Sequence, residues 1–142
     1  MQWNYQDKII QEINDLPKDA FGFIYQTTHL PTGKKYIGKK SLIYNLKKKL
    51  GKKEKALWEG KGRPPVFKRV QKESDWKTYY GSHSFIKDAN KEDLKRKILQ
   101  IAYNKKELTY LECKYQFVLE VLEDKKYLND NILGKFYDRD FR

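Results

Sequence analysis

The sequence predicts an α/β fold of the α+β type, in which a small three-stranded antiparallel sheet is flanked by helices. Three observations predict it: a β-hairpin pattern over residues 21–40, a strand-like stretch at Leu94–Ala102, and helical periodicity on either side of them. A chain of 142 residues suits one compact domain with a modest core. We therefore expect a single domain over residues 1–142, with a basic insertion after the second strand.

The first element is predicted to be a short amphipathic helix over residues 6–16. Its apolar residues follow the spacing of one helical face: Ile9, Ile10, Ile13 and Leu16. Pro17 lacks a backbone N–H and would end the helix there.

The hairpin follows, with a longer loop. Its apolar runs flank Pro31 and Gly33, which favour a turn because proline presets φ and glycine permits positive φ. Tyr25 and Tyr36 lie in the two runs with ten residues between them. Paired strands can bring two such side chains to one face of the sheet, where the phenols can act together. The alternative is that both are ordinary strand residues, since tyrosine favours strands.

A strongly basic segment comes next, over residues 39–72. It contains 13 lysines or arginines and two glutamates, and so carries +11 of the net charge of +12. We interpret it as an insertion that binds nucleic acid, because phosphate contacts release counterions; the alternative is a solvated lysine-rich loop. Its apolar spacing predicts a partial helix ending near Gly51, and its glycines and prolines predict a mobile loop over residues 59–65.

The segment before the third strand is rich in aromatic residues. Trp76 and Tyr80 can stack on nucleobases, or Trp76 and Tyr79 can pack one helical face into the core. A short helix is predicted over residues 84–89, with Ser82 or Ser84 as its N-cap.

The longest helix is predicted to open at Asn104, where Glu107 completes a capping-box pattern. Glu112 sits at the margin of its apolar stripe, where a carboxylate usually has a partner or a ligand. The stripe is Leu108, Leu111, Tyr115, Val118 and Leu122.

Composition excludes several classes of protein. The chain has no run of 18 apolar residues and no apolar N-terminal signal core, so we expect a soluble cytoplasmic protein without a membrane partner. It has one cysteine and no Cys/His cluster with zinc spacing, which excludes a disulfide scaffold and a zinc site.

The hairpin resembles the two halves of the GIY-YIG endonuclease motif. Gly22-Phe23-Ile24-Tyr25 and Tyr36-Ile37-Gly38 match its order and spacing, with one extra residue after Gly22. The later stretch W-x-x-Y-Y-G-S resembles the signature of a small phage-associated subgroup. The resemblance implies a DNA nuclease, encoded by a phage and acting in the host cell.

The resemblance also implies a mechanism with one divalent metal, Mg²⁺ or Mn²⁺, held by a single helix glutamate, which Glu112 matches. Tyr25 is predicted as the general base and Tyr36 as its hydrogen-bonding partner. A phenol with a pKa near 10 needs a nearby cation for this role, and Lys39 and Lys40 follow the motif directly. The supporting asparagine of the family matches Asn129, or alternatively Asn131.

The family arginine has no counterpart at its usual place, just after the second half of the motif. Arg63, Arg69, Lys40 or Lys77 is predicted to replace it in stabilising the transition state. The DNA-binding surface is predicted to comprise Lys39, Lys47, Lys48, Lys49, Lys52, Lys53, Trp76, Lys77 and Tyr80.

The leading hypothesis is thus a metal-dependent DNA endonuclease, acting as a monomer or homodimer. The alternative is a catalytically weak or inactive nucleic-acid-binding module of the same fold. The presence of Tyr25, Tyr36, Glu112 and Asn129 favours the enzyme.

Overall fold

The computed structural model describes residues 2–141, which divide into two compact units. The first unit comprises the chain up to Leu42 and from Asp75 onward, and the second is Ile43–Ser74. The insertion predicted over residues 39–72 overlaps the second unit. No helix within residues 2–141 is long and apolar enough to cross a membrane.

Within residues 2–141, nine strands, three α-helices and four single 3₁₀ turns follow one another along the chain. Single 3₁₀ turns lie at Ile13–Asp15, Trp76–Thr78, Lys91–Asp93 and Asp138–Asp140. In chain order, the strands and α-helices are β1 (Trp3–Tyr5), β2 (Lys8–Ile10), β3 (Gly22–His29), β4 (Lys34–Ser41), β5 (Ile43–Lys49), α1 (Lys52–Ala56), β6 (Phe67–Glu73), α2 (Ser84–Asp88), β7 (Leu94–Ala102), α3 (Lys105–Val118), β8 (Asn131–Ile132) and β9 (Phe136–Tyr137).

The main sheet of the first unit has the strand order β2-β1-β7-β3-β4. The three antiparallel strands predicted from the sequence are β7, β3 and β4, with β3 in the middle. Beyond them, β1 pairs in parallel with β7, and β2 pairs antiparallel with β1. The predicted α+β fold class is confirmed, and the sheet is two strands wider than predicted.

The prediction of a helix over residues 6–16 is wrong. Residues 3–10 form the β1–β2 hairpin, whose turn residues Gln6 and Asp7 have φ of 49° and 65°. Trp3 and Ile10 pair across this hairpin and are both buried. Packing against the sheet outweighs the helical spacing of the isoleucines, because so short a helix is marginal by itself.

The partial helix predicted before Gly51 is also wrong. That stretch forms β5, which pairs antiparallel with β6 over seven residue pairs, and the short helix α1 begins only after Gly51. Backbone pairing along the full strand outweighs a weak helical pattern. Residues 59–65 have no regular secondary structure, and their mobility stays a prediction.

The sheet carries an apolar cluster on each face. One cluster includes Phe23, Trp76 and Ile98, and the other includes Ile24 and residues of α3. The pairing of β3 with β7 shifts register between Ile24 and Tyr25, where β7 has one extra residue. This bulge explains why apolar residues occupy both alternating sets of positions in the second half of β7.

The long helix α3 begins where predicted. Asn104 Oδ1 accepts a 2.8 Å hydrogen bond from the backbone N–H of Glu107, and the Glu107 carboxylate accepts from the N–H of Tyr103, one residue before the cap. The predicted apolar stripe is wrong at Val118, which is 70% exposed, whereas Gln116 is buried. The helix ends at Val118, so Leu122 is buried beyond it.

Candidate active site

The two tyrosines of the hairpin lie on one face of the sheet, as the pattern predicts. Tyr25 pairs with Gly38 and Thr27 with Tyr36, so the phenols are diagonal neighbours with ring centroids 6.3 Å apart. A Cβ atom on Gly38 would lie 2.5 Å from the hydroxyl oxygen of Tyr25. The Tyr25 ring therefore crosses β4 at Gly38, where only glycine leaves room for it.

Gly22 makes the other close approach in the motif. A Cβ atom there would lie 2.6 Å from the carbonyl oxygen of Lys40 and 2.9 Å from Cδ2 of Leu108. The first half of the motif thus needs its glycine for packing between β4 and α3, even with the extra residue Phe23. Phe23 itself packs its ring against Trp3 on the face of the sheet away from α3, which is also the face of Tyr25.

Tyr25 is only 1% exposed. Its ring makes edge contacts with Trp3 and Tyr79, at centroid distances of 5.5 and 5.9 Å. Burial raises the pKa of Tyr25 well above its ordinary value of 10.0, and the phenols of Tyr79 and Tyr36 raise it further. The predicted role of Tyr25 as general base does not fit this burial, because a base must reach the water that it deprotonates.

Tyr36 lines an open cleft of about 530 Å³ beside β4, the edge strand of the sheet. Its hydroxyl oxygen lies 2.9 Å from Oγ of Ser82, and either group can donate the hydrogen bond. Partial burial raises the pKa of Tyr36 above 10.0, and the bond from Ser82 opposes that rise. Tyr36 is thus the motif phenol that faces the cleft.

Glu112 lines the same cleft from α3. Its side chain is 21% exposed, and its Oε1 lies 4.0 Å from Nζ of Lys39, which donates a hydrogen bond to Thr109 Oγ1. Burial raises the pKa of Glu112 above its ordinary value of 4.5, although Lys39 opposes the rise. The cleft therefore contains a carboxylate that is only partly compensated.

The donor groups of the cleft bear on whether it suits a divalent metal. Within residues 2–141, no three His, Cys, Asp or Glu side chains form a cluster that could hold an ion alone. Glu112 nevertheless presents a partly desolvated carboxylate to a polar cleft with room for several water molecules. Mg²⁺ binds through one or two carboxylates and keeps several waters, so a single-glutamate site for Mg²⁺ or Mn²⁺ fits these residues.

A histidine–aspartate pair also lines the cleft, and sequence reasoning missed it. His83 Nδ1 accepts a 3.1 Å hydrogen bond from the N–H of Phe85, and its Nε2 lies 3.4 Å from Oδ2 of Asp130. The predicted helix is confirmed as α2, but its N-cap is His83, not Ser82 or Ser84. The signal in the sequence was a polar residue one position before the helix, and histidine is not a usual N-cap.

Asn129 is buried and holds the edge strand. Its Oδ1 accepts from the N–H of Ile37 at 3.1 Å, and its Nδ2 donates to the carbonyl oxygen of Ile37 at 2.8 Å. Ile37 lies between Tyr36 and Gly38 in the motif. Asn129 thus fixes the strand that carries Tyr36, whereas the alternative Asn131 is exposed and accepts a bond from the N–H of Gly134.

Two of the cations predicted to replace the family arginine are bound to carboxylates in the first unit. Lys40 Nζ lies 2.5 Å from Asp75 and 4.1 Å from the ring centroid of Tyr79. Lys77 Nζ lies 2.6 Å from Glu12. In contrast, Lys39 lines the cleft directly, so its side chain is a better-placed cation than either of them.

The other two candidates, Arg63 and Arg69, belong to the second unit. Their predicted catalytic role stays a prediction. The predicted DNA-binding lysines of that unit, all of them exposed, are Lys47, Lys48 and Lys49 in β5 and Lys52 and Lys53 in α1.

The predicted stacking of Trp76 on nucleobases is wrong, because Trp76 is fully buried and its ring packs against Phe23 at 6.4 Å. Tyr80 is half-buried, and its ring contacts the guanidinium of Arg96 at 3.9 Å and Nζ of Lys91 at 4.9 Å. The packing alternative therefore holds for Trp76, and cations already cover Tyr80.

Arg96 is a buried cation that sequence reasoning missed. Its Nη1 donates to the carbonyl oxygens of Lys77 and Tyr79 at 3.0 and 2.7 Å, and burial lowers its pKa to about 10. The alternation of residues along β7 places Arg96 on the same face as apolar residues. This pattern is the only sequence signal that could have identified Arg96 as a buried cation. Arg96 fastens the segment before Ser82 to the sheet.

A comparison with protein families agrees with the hairpin and the cleft. The family model described as "Putative endonuclease segE, GIY-YIG domain" matches residues 3–132. No curated protein and no solved structure matches the chain. The match covers both tyrosines, Glu112 and Asn129, and it confirms the family predicted from the motif. The chain therefore belongs to the GIY-YIG endonuclease family.

Proposed function

We propose that this nuclease is a metal-dependent DNA endonuclease that hydrolyses phosphodiester bonds in the cleft beside β4. The observation that carries the proposal is the meeting of Tyr36 and Glu112 in one cleft. Tyr36 packs on one face of the sheet, and the helix that carries Glu112 packs on the other. A group that accepts a proton and a carboxylate that holds a metal must reach the same phosphate.

We assign the proton transfer to Tyr36 and a supporting role to Tyr25. The position of Tyr36 in the lining of the cleft, with its hydroxyl next to Ser82, supports this assignment. The raised pKa of Tyr36 makes its phenolate scarce at neutral pH, so the rate of hydrolysis should increase with pH. The phenolate oxygen of Tyr36, after the phenol has lost its own proton to solvent, would orient the attacking water and accept its proton.

Glu112 would hold the divalent metal, Mg²⁺ or Mn²⁺, in this proposal. When bound, the metal supplies stabilisation of the negative charge that develops on the phosphate and on the leaving oxygen. Lys39, beside Glu112, would contact a phosphate oxygen and so take part of the role of the family arginine. Asn129 would act by positioning, since it holds the backbone of Ile37.

A plasmid-nicking assay tests the proposal. The purified chain should convert supercoiled plasmid to nicked or linear DNA with Mg²⁺ or Mn²⁺, and EDTA should stop it. Glu112→Gln should abolish turnover and leave DNA binding nearly intact. Glu123→Gln, at an exposed position after the same helix, is the matched control and should cut normally. Equal turnover of wild type and Glu112→Gln would rule out this metal site.

The second candidate function is a nucleic-acid-binding module that does not cut. The raised pKa values of both motif phenols favour it, as does the missing arginine after the motif. Binding of DNA without cleavage in either metal, at any pH up to 9, would establish this alternative.

A further inference from the structure

Strands β5 and β6 of the second unit form a two-stranded antiparallel ribbon, and one face of this ribbon carries amide and cationic side chains. In the pairing of β5 with β6, Asn45 is directly opposite Gln71, and Lys47 is directly opposite Arg69. Because side chains alternate along a strand, these four residues lie on the same face in two adjacent rows. All four are exposed, and none of their side chains has a hydrogen bond or ion pair within residues 2–141.

The opposite face of the ribbon has a different composition. Its central row pairs Leu46 with Val70, and the flanking rows pair Tyr44 with Lys72 and Lys48 with Lys68. Lys68 is already bound to Glu54 at 2.5 Å. The amide and guanidinium groups are therefore collected on one side of the ribbon.

Like charges face each other across the ribbon and lower its stability. Lys47 opposite Arg69 and Lys48 opposite Lys68 are like-charge pairs, which destabilise an antiparallel ribbon. A two-stranded ribbon is marginally stable in water even without such repulsion. Binding of a polyanion would relieve the repulsion, so the arrangement favours a nucleic acid as ligand.

We propose that the face formed by Asn45, Gln71, Lys47 and Arg69 reads base pairs in the major groove of double-stranded DNA. The major groove, about 12 Å wide, admits a two-stranded β-ribbon. Asparagine and glutamine match the edge of adenine, and arginine and lysine match the edge of guanine. These are the two amide and two cationic side chains that the two rows present.

The spacing of the rows agrees with this reading. Residues two apart on a strand are separated by about 6.8 Å, which is close to two base-pair steps of about 3.4 Å. The amide row and the cationic row would thus read bases about two steps apart. The inference rests on DNA as the substrate of the proposed function, and it states how the enzyme would select a sequence in that DNA.

A binding selection in the Glu112→Gln background tests the inference without cleavage. A randomised double-stranded library should yield an enriched motif that contains adenine and guanine. The double variant Asn45→Ala/Gln71→Ala should lose the preference for adenine, with a loss of roughly 5- to 100-fold for the best site. Arg69→Ala should lose the preference for guanine by a similar factor.

The matched control is Lys48→Gln/Lys72→Gln on the opposite face, which should keep the motif. Absence of any enriched motif, an unchanged motif in the Asn45→Ala/Gln71→Ala variant, or equally tight binding of single-stranded DNA of the same sequence would overturn the inference. A motif together with failure of wild type to cut plasmid would overturn the proposed function alone.

Discussion

The residue types of the GIY-YIG motif are explained first by packing around Tyr25. Its ring crosses β4 at Gly38, contacts Trp3 and Tyr79, and leaves Tyr36 as the phenol on the side of the cleft. Glycine is needed at position 38 for the space it leaves, since Gly38 is not among the residues with positive φ. The motif therefore fixes a tyrosine pair sterically before it supplies any chemistry.

Gly38→Ala should consequently destabilise the fold. The added methyl group would lie within 2.5 Å of the Tyr25 hydroxyl, and overpacking of this kind costs about 1–3 kcal/mol of unfolding free energy. Urea denaturation measures the change. Tyr25→Phe removes the closest atom and should recover part of the loss in the double variant. Gly51→Ala, where the nearest atom is 3.9 Å away, is the control and should change stability little.

The carboxylate of Glu112 shows the conflict between stability and function at single-residue scale. Because its folded-state pKa is raised above 4.5, folding favours the protonated form, and this contribution to stability is lost as pH rises through the folded pKa. Glu112→Gln should therefore unfold at a higher temperature than wild type at pH 7–8. The difference should shrink as pH falls towards 4.5 and vanish below it. A wild type that is the more stable protein at pH 8 would contradict the raised pKa.

The pH dependence of cleavage distinguishes which of the two phenols, Tyr36 or Tyr25, acts as the base. Below the pKa of Tyr36, which is raised above 10.0, the phenolate fraction increases tenfold per pH unit. The wild-type rate should therefore rise with a log slope near 1 between pH 7 and 9. Tyr36→Phe should lose the slope and at least about 10²-fold in rate, the usual worth of positioned proton transfer. If Tyr25→Phe alone loses both, the buried tyrosine is the base, as the sequence predicted.

At the scale of elements, the edge strand β4 depends on the chain that follows α3. The N–H of Lys35 donates to the carbonyl oxygen of Lys126, and the N–H of Leu128 donates to the carbonyl oxygen of Lys35. Asn129 continues this pairing with its side chain on Ile37. The edge of the sheet is thereby covered next to the cleft, which limits pairing with other chains.

Asn129→Ala should reduce both stability and cleavage. The substitution leaves the buried N–H of Ile37 without its partner, which costs about 1–3 kcal/mol. Gln116 Nε2, at 3.3 Å, still donates to the carbonyl oxygen of Ile37. The unfolding temperature and the rate of plasmid nicking should both fall, since Tyr36 is adjacent to Ile37. Asn131→Ala, at the exposed alternative position, is the control; equal effects of the two would show that Asn129 has no special role.

The elements that could be predicted are those whose signals are local. The β3–β4 hairpin, β7 and the start of α3 depend on turn residues, alternation and an N-cap within a few positions of the element itself. The N-terminal strand could not be predicted, because its partner β7 lies more than 90 residues away and makes Trp3 a sheet residue. Helical and strand patterns were both compatible with the isoleucines, and tertiary packing decided between them.

The candidate site divides in the same way. Glu112, Tyr36 and Asn129 are recognisable because they carry a family motif, and all three contribute to the cleft. Lys39 could be named only as one of several lysines, because its position depends on α3 packing beneath β4. His83 and Asp130 are 47 positions apart in the chain, so their pairing has no local sequence signal, and the N-cap had only the weak signal of a polar residue before the helix.

At the scale of the whole molecule, charge is divided unequally between the two units. The second unit, residues 43–74, contains 11 basic and three acidic residues, a net charge of +8, which leaves +4 for the rest of the chain. The cleft, in contrast, contains both Lys39 and the acids Glu112 and Asp130. In the proposed function, affinity for the DNA backbone and the chemistry on a phosphate would thus belong to different parts of the sequence.

Neutralising the five lysines of β5 and α1 other than Lys47 should therefore weaken binding to all DNA sequences alike, because phosphate contacts carry no sequence information. Each lost contact should flatten the log–log salt dependence of the affinity by about 0.9. Titration of the variant over 50–200 mM salt, against a matched variant with five exposed lysines neutralised in the first unit, measures the change. A slope equal to that of wild type would show that the segment is a solvated surface and that the DNA backbone binds elsewhere. The five lysines are Lys48, Lys49, Lys52, Lys53 and Lys55, and the control lysines are Lys18, Lys87, Lys95, Lys97 and Lys125.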